Sequence, residues 1–248
     1  MSKLKPNQFE IRPGVIITER PILFNTEMVQ ANLEGRKTQT RRTKGLDKYP
    51  DYNWQNISSV NGTDIKCAMA DTPDRLLLVR SPYGQPGDLI WVRESFTIFL
   101  DGILFKSRES IFKNPKWRPS IHMPKSYAQI WAMVEDIRVE KLLDISPKDA
   151  ISEGIEVYYT RNKVAGYKNY LTTDPKYFSS PRFSFFSLID KVNNCQMASI
   201  NPWVWVVKYR ILSKEGRPTD EIIWDNYRDI QYRISCPESY KGKEASNV

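Results

Sequence analysis

The chain has 248 residues, enough to bury a core in one domain or two, and 40% of them are hydrophobic. Its longest apolar runs, at 76–79 and 203–207, are too short to span a bilayer, and the polar segment 1–13 lacks the apolar stretch of a signal peptide. A cytoplasmic protein with no membrane partner is therefore expected, and the net charge of +8 favours polyanionic partners.

Residues 1–19 read as a loosely held N-terminal arm. Pro21 to Phe24 reads as a short strand. Asn25 and Thr26 are capping residues for a helix through Met28, Val29, Ala31 and Leu33, and Gly35 stands where a helix-ending glycine belongs. A basic stretch, 36–42, follows. Residues 45–74 are polar and rich in turn signals, which predicts a long loop or insertion.

Strands are predicted over 75–80, 89–94 and 130–139. The stretch 113–125 between the last two is punctuated by proline and carries aromatic and basic residues. Ser146 and Pro147 open a short helix that Gly154 closes. A second polar, tyrosine-rich insertion covers 156–180. A helix with an aromatic face, through Phe183, Phe186 and Ile189 or Asp190, comes next. Trp203 to Leu212 reads as a strong strand, and Ile223, Tyr227, Ile230 and Ile234 keep helical spacing. Residues 237–248 read as disordered. The fold class is α+β: a small barrel of about five strands with short flanking helices, a main domain over 20–213, and an extension over 214–248.

Cys67, Cys195 and Cys236 are far apart in sequence, and the sole histidine is His122. Neither a disulfide framework nor a zinc site is expected, and no cofactor motif is present. The basic stretch is the most informative segment. Arg36, Arg41 and Arg42 crowd Lys37 and disfavour its charged form, as partial burial also does, and a lysine so tuned can act as a base near neutrality. In a regular strand Lys37 and Thr40 would point to opposite faces, so they share a site only if the chain breaks between them. Trp117, Arg118, Ser120 and His122 form an aromatic and basic stretch suited to base stacking and phosphate contact. Glu94 and Glu153 are the candidate acids.

The segments 21–42, 87–96, 117–124 and 201–206 together resemble phage and prophage proteins of the ASCH superfamily, which are PUA-like barrels. Within that superfamily, the Gly-Arg-Lys-x-x-Thr-x-Arg pattern at Gly35, Arg36, Lys37, Thr40 and Arg42 is similar to that of small bacterial amidohydrolases. Those enzymes remove the acetyl group from the exocyclic amine of acetylated cytidine. The resemblance implies a catalytic lysine at Lys37, a catalytic threonine at Thr40 and a catalytic glutamate at Glu153, which closes Ala150-Ile-Ser-Glu. It further implies that a neutral Lys37 takes the Thr40 proton while Glu153 shuttles one to the leaving amine. The chain departs from these enzymes in its greater length, in Asp149 where they carry a histidine, and in Glu94, which follows the phage branch and is a second candidate for the acidic role.

Three readings follow. The first is binding of RNA, DNA or a modified nucleoside in a PUA-like cleft, through Arg36, Arg41, Arg42, Trp117, Arg118, Ser120 and His122. The second is amidohydrolysis of an acylated cytidine at Lys37, Thr40 and Glu153 or Glu94. The third is a phage protein that blocks a host defence protein through its insertions.

Overall fold

A computed structural model describes residues 4–60, 63–71, 76–99, 102–108, 115–174 and 176–236. The predicted disordered tail at 237–248 lies outside the described residues, as do the turn signals at 61–62 and 72–74.

The N-terminal segment is a hairpin rather than a loose arm. Strands β1 (Gln8–Arg12) and β2 (Val15–Leu23) pair antiparallel across Pro13-Gly14 and bury Ile11 and Ile17. Helix α1 (Thr26–Leu33) starts as its sequence requires, with the Asn25 side chain accepting from the Met28 amide at 2.8 Å. Strand β3 (Gln39–Arg42) follows it.

Of the segment 45–74, predicted as a long loop or insertion, 55–60 and 63–71 are strands, and the strand predicted over 75–80 is present at 76–80. They form a three-stranded antiparallel sheet of β4 (Gln55–Val60), β5 (Thr63–Asp71) and β6 (Leu76–Arg80). Leu46, Trp54 and Ala70 carry this region into the main core, and those few anchors are what the polar composition hides. Next come β7 (Leu89–Arg93), the hairpin β8 (Phe96–Phe99) and β9 (Gly102–Phe105), and β10 (Trp131–Lys141).

Helix α2 (Pro147–Ser152) is capped by the Ser146 hydroxyl. The tyrosine-rich segment forms a small sheet of β11 (Val157–Thr160), β12 (Lys163–Lys168) and β13 (Tyr177–Phe178). Helices α3 (Pro181–Asn193) and α4 (Met197–Ile200), strand β14 (Trp203–Ser213) and helix α5 (Asp220–Ser235) complete the chain. The buried stripe of α3 is Pro181, Ser184, Phe185, Leu188 and Ile189, so the predicted aromatic face is rotated and Phe183 is exposed. Helix α5 buries Ile223 and Ile230 as spaced, but Ile234 is exposed.

The core is a six-stranded mixed sheet in the order β1-β2-β7-β10-β14-β3, with β2 and β7 parallel and the other pairs antiparallel. The class is therefore α+β with a mostly sheet core. Among the described residues no pairing joins β1 to β3, so the hydrogen-bonded sheet is open.

Alternation along each strand sorts the core into two sides. Ile90, Val92, Ala132, Val134, Trp205, Val207 and Tyr209 join α1 residues and the 46–79 region on one side. Leu89, Trp91, Trp131 and Met133 join Ile223 and Ile230 of α5 on the other. A third cluster sets Val204 and Val206 against α2 and α3. Among the described residues no helix is long and apolar enough to cross a membrane.

Candidate functional site

The site grows out of two helix ends that meet. Gly35, at φ 77°, ends α1, and the amides of Arg36 and Lys37 both donate to the Ala31 carbonyl. Gly154, at φ 89°, ends α2. A Cβ on Gly154 would stand 2.8 Å from that of Lys37 and 2.9 Å from that of Ala31, so only glycine admits this approach. Lys37 bridges Glu153 through the backbone and lies outside β3.

This break resolves the geometric condition set by the sequence. Gln39 and Arg41 alternate onto one face and both reach Asp149. Thr40 and Arg42 take the opposite face, where the Arg42 guanidinium lies 5.4 Å from the centre of the Phe24 ring. The Lys37 ammonium lies 5.5 Å from that same ring, so the head group lies toward the Thr40 side. Thr40 itself is buried and pairs with Val207 in the sheet. Among the described residues no hydrogen bond joins its hydroxyl to Lys37 or Glu153.

The Lys37 side chain is fully enclosed. Its Nζ donates to the Glu153 carbonyl at 2.9 Å and to Glu153 Oε2 at 2.8 Å. The other carboxylate oxygen, Oε1, accepts from Arg41 Nη1 at 2.8 Å. Arg41 is equally enclosed and forks onto Glu140 Oε1 through Nε at 2.9 Å and Nη2 at 2.6 Å, with Asp149 Oδ2 at 3.4 Å. Arg138 closes the network, with Nη2 2.9 Å from Asp149 Oδ2 and Nε 3.2 Å from Glu140 Oε2. Three cations thus share three carboxylates.

Burial pushes the Lys37 ammonium below the usual lysine range. Glu153 opposes that shift, while Arg42 and Arg41 add to it. Asp149 is held low: burial pushes it up, but the Gln39 hydrogen bond and the charges of Arg138 and Arg41 prevail.

Glu94 stands apart from Lys37. It is buried at the end of β7, where the Ser107 hydroxyl donates to its Oε2. Burial pushes this carboxyl up, against the Ser107 hydrogen bond and the nearby Arg108 charge. The acid that meets Lys37 is Glu153.

The expected binding residues divide. Arg41 is inside the network, and Arg36 donates to the Gly154 carbonyl and pairs with Glu34 at 2.5 Å. The Arg41 guanidinium is enclosed, while that of Arg36 is partly exposed. The others gather on a rim. Arg42 Nη2 donates to the Leu23 carbonyl at 2.7 Å, and Leu23 pairs with Arg93 across β2 and β7. Arg93 Nη1 reaches the Ile121 carbonyl at 3.2 Å, between Ser120 and His122, and its guanidinium packs 4.8 Å from the centre of the Trp91 ring. Arg118 bridges Phe96 through the backbone, with Trp117 beside it. Arg118 and His122 are exposed; Trp117 and Ser120 are half-buried.

Several site residues escaped the sequence reading. Arg138 and Glu140 carried a usable signal, two charges alternating with the buried Ile137 and Val139 of β10. Asn32 and Tyr209 are buried and joined by a 2.8 Å hydrogen bond from the Tyr209 hydroxyl. Asn32 sits in the buried register of an amphipathic helix, which marks a polar residue with a partner. A groove of about 730 Å³ opens beside them, lined by Gly35, Lys37, Thr38, Lys208 and Lys214 among others. Among the described residues no group of three His, Cys, Asp or Glu side chains could hold a metal ion. The chain matches no protein-family model, no curated protein and no solved structure.

Proposed function

We propose that the chain is a PUA-like protein that binds nucleic acid or a modified nucleoside through the rim of Arg42, Arg93, Arg118, Trp117, Ser120 and His122. The observation that carries this reading is the continuous run of contacts from Arg42 through Leu23 and Arg93 to Ile121. It holds two guanidinium groups on backbone carbonyls, next to an exposed arginine and a half-buried tryptophan. Fixed guanidinium groups suit phosphate oxygens, and aromatic faces suit bases. The net charge of +8 adds long-range attraction.

The test is a salt titration of binding, read by fluorescence anisotropy with labelled single-stranded RNA, single-stranded DNA and duplex. Arg93→Glu with Arg118→Glu is expected to weaken binding and to flatten the salt slope by about one unit per lost phosphate contact. An unchanged slope in a folded double variant rejects the rim.

A second reading, amidohydrolysis of acetylated cytidine, is favoured by the 2.8 Å pairing of Lys37 with Glu153 beside the groove. The groove volume falls within the range of small-molecule sites. In this reading water cleaves the exocyclic amide to acetate and cytidine, with Lys37 as base once Glu153 turns to the leaving amine. Chromatography of acetylated cytidine incubated with wild type and with Lys37→Met tests it. Product from wild type alone supports catalysis. No product from wild type, beside an active control enzyme, removes that substrate.

A further inference from the structure

Strand β14 outruns the strand beside it. β3 pairs with it from Trp205 to Lys208, and the last bond between the two chains is the Tyr209 amide donating to the Thr38 carbonyl at 2.9 Å. Ahead of that point the chain turns away: the Thr38 amide donates to Ser152 and the Lys37 amide to Ala31. β14 continues to Ser213, and among the described residues no strand flanks this stretch on the side opposite β10. The groove of about 730 Å³ lies along it, lined by every residue from Lys208 to Glu215.

The ladder fixes where the backbone groups point. Val134 of β10 makes both its backbone bonds on the β7 side, accepting from Gly87 and donating to Asp88. Directions alternate along a strand, so Ala132 also points to β7, and its β14 partner Ile211 exchanges no hydrogen bonds with it. The Ile211 N–H and C=O therefore face away from β10, as does the Tyr209 C=O, whose N–H already meets Thr38. Among the described residues no hydrogen bond engages these three groups.

The free edge reads acceptor, donor, acceptor, and it is short. Thr38 bounds it at one end. At the other, Trp131 pairs with Ser213 and Ala132 with Ile211, so Leu212 is the extra residue of a bulge. A bulge interrupts regular pairing. An incoming peptide strand has too little edge to join, whereas a flat heterocycle needs no more than this.

We propose that the β14 edge reads the base of an adenine nucleotide. The exocyclic amine donates to the Tyr209 C=O, the ring N1 accepts from the Ile211 N–H, and the C2–H makes a weak contact with the Ile211 C=O. Cytosine sets its own carbonyl against that of Ile211. Uracil and guanine carry a ring N–H where Ile211 also donates. Ile211 and Leu212, both half-buried, give the groove apolar surface for a base face. Of the lining cations, Arg210 and Lys208 pair with Glu135 at 2.6 Å and 3.5 Å. Lys214 is exposed and donates to the Leu33 carbonyl at 2.6 Å, and among the described residues no ion pair engages it. Glu215 beside it is an exposed acid. The phosphate belongs at Lys214. The site is separate from the Arg93 rim, and it shares the groove with the amidohydrolase reading without depending on it.

The experiment uses the full chain labelled with ¹⁵N-isoleucine and followed by NMR. Ile211→Val removes one amide peak and so assigns it. The probes are AMP, IMP, N6,N6-dimethyl-AMP and a short single strand with one adenine among uracils. AMP is expected to shift the Ile211 amide and to bind at least about tenfold more tightly than IMP or the dimethyl analogue, because each of those leaves a backbone group unmatched. The same shift with the single strand assigns the site to adenine within a chain; a shift with AMP alone assigns it to the free nucleotide. Lys214→Ala should weaken AMP several-fold and leave adenosine unchanged, and equal loss for both would overturn the phosphate placement.

Arg93→Glu with Arg118→Glu should leave the AMP shift intact, so a failure of the rim and a failure of this site are told apart. Equal affinity for AMP and IMP would overturn the proposal. So would an unmoved Ile211 amide with AMP bound, or no binding of either AMP or the adenine-bearing strand.

Discussion

Arg41 and Arg42 are neighbours in sequence and have opposite fates. Arg41 is enclosed and shared among Glu140, Glu153 and Asp149. Arg42 is half-buried, rests against the Phe24 ring and donates to one carbonyl. The strand period of two decides which is enclosed in the carboxylate network and which stays partly exposed. A basic run in a sequence is thus not one feature. Its alternate members belong to different parts of the molecule, one set to the carboxylate network and the other to the Phe24 side.

The sharpest break of this comparison is a pair of alanine variants. Arg41→Ala removes the cation that three carboxylates face, and stripping one partner from a buried ionic cluster costs about 3–5 kcal/mol. Arg42→Ala should cost under about 1 kcal/mol. Urea denaturation of both measures the gap, and equal losses would contradict the division.

The next test lies within the network. Glu153→Gln leaves both Lys37 and Arg41 against a neutral amide and should cost about 2–4 kcal/mol. Lys37→Met leaves the Arg41–Glu153 contact in place and puts an apolar chain beside Phe24, so a loss of about 1 kcal/mol or less is expected. If Lys37→Met proves the more damaging, the lysine rather than the arginine organises the cluster.

A smaller effect is expected in the pH dependence. Glu94 has its pKa raised by burial, so its neutral form is the one the fold prefers. The stability it contributes is complete below the unfolded glutamate pKa and is lost as pH rises through the raised folded value. Lys37 is shifted the opposite way. The stability it contributes is present above the unfolded lysine pKa and is lost as pH falls through the lowered folded value. Glu94→Gln should therefore flatten the decline of stability with pH on the acid side and leave the alkaline limb alone, as thermal melts across pH would record. Smallest of all, Arg118→Ala at the exposed rim should change stability by about 0.5 kcal/mol or less, while the binding titration still responds.

How much of this was legible follows from where the signals were strong. Helix α1, between Asn25 and Gly35, and helix α2, between Ser146 and Gly154, were marked at both ends by residues with one physical job each. Strands β7, β10 and β14 are apolar enough to declare themselves. The hairpin of β1 and β2 was missed although Pro13-Gly14 separates two runs with alternating apolar residues, because polar outer positions masked the buried pair Ile11 and Ile17. Strands β4 and β5 were missed, although β6 was not, because a handful of anchors, Leu46, Trp54 and Ala70, hold that region to the core. At the site, motif spacing could pair Lys37 with Glu153 only through resemblance. Glu140 and Arg93 came from strands whose neighbours no local pattern reveals.

The contact between Lys37 and Glu153 spans 116 residues of chain. A ribosome adding roughly 5–20 residues each second needs on the order of 6–25 s to supply the second partner after the first. Over that interval Lys37 and Arg41 are without their carboxylates, and β3 waits longer still for β14. The nascent N-terminal part therefore emerges as a basic, unsheltered segment, open to the polyanions around it, and becomes interior only when the last third of the chain arrives.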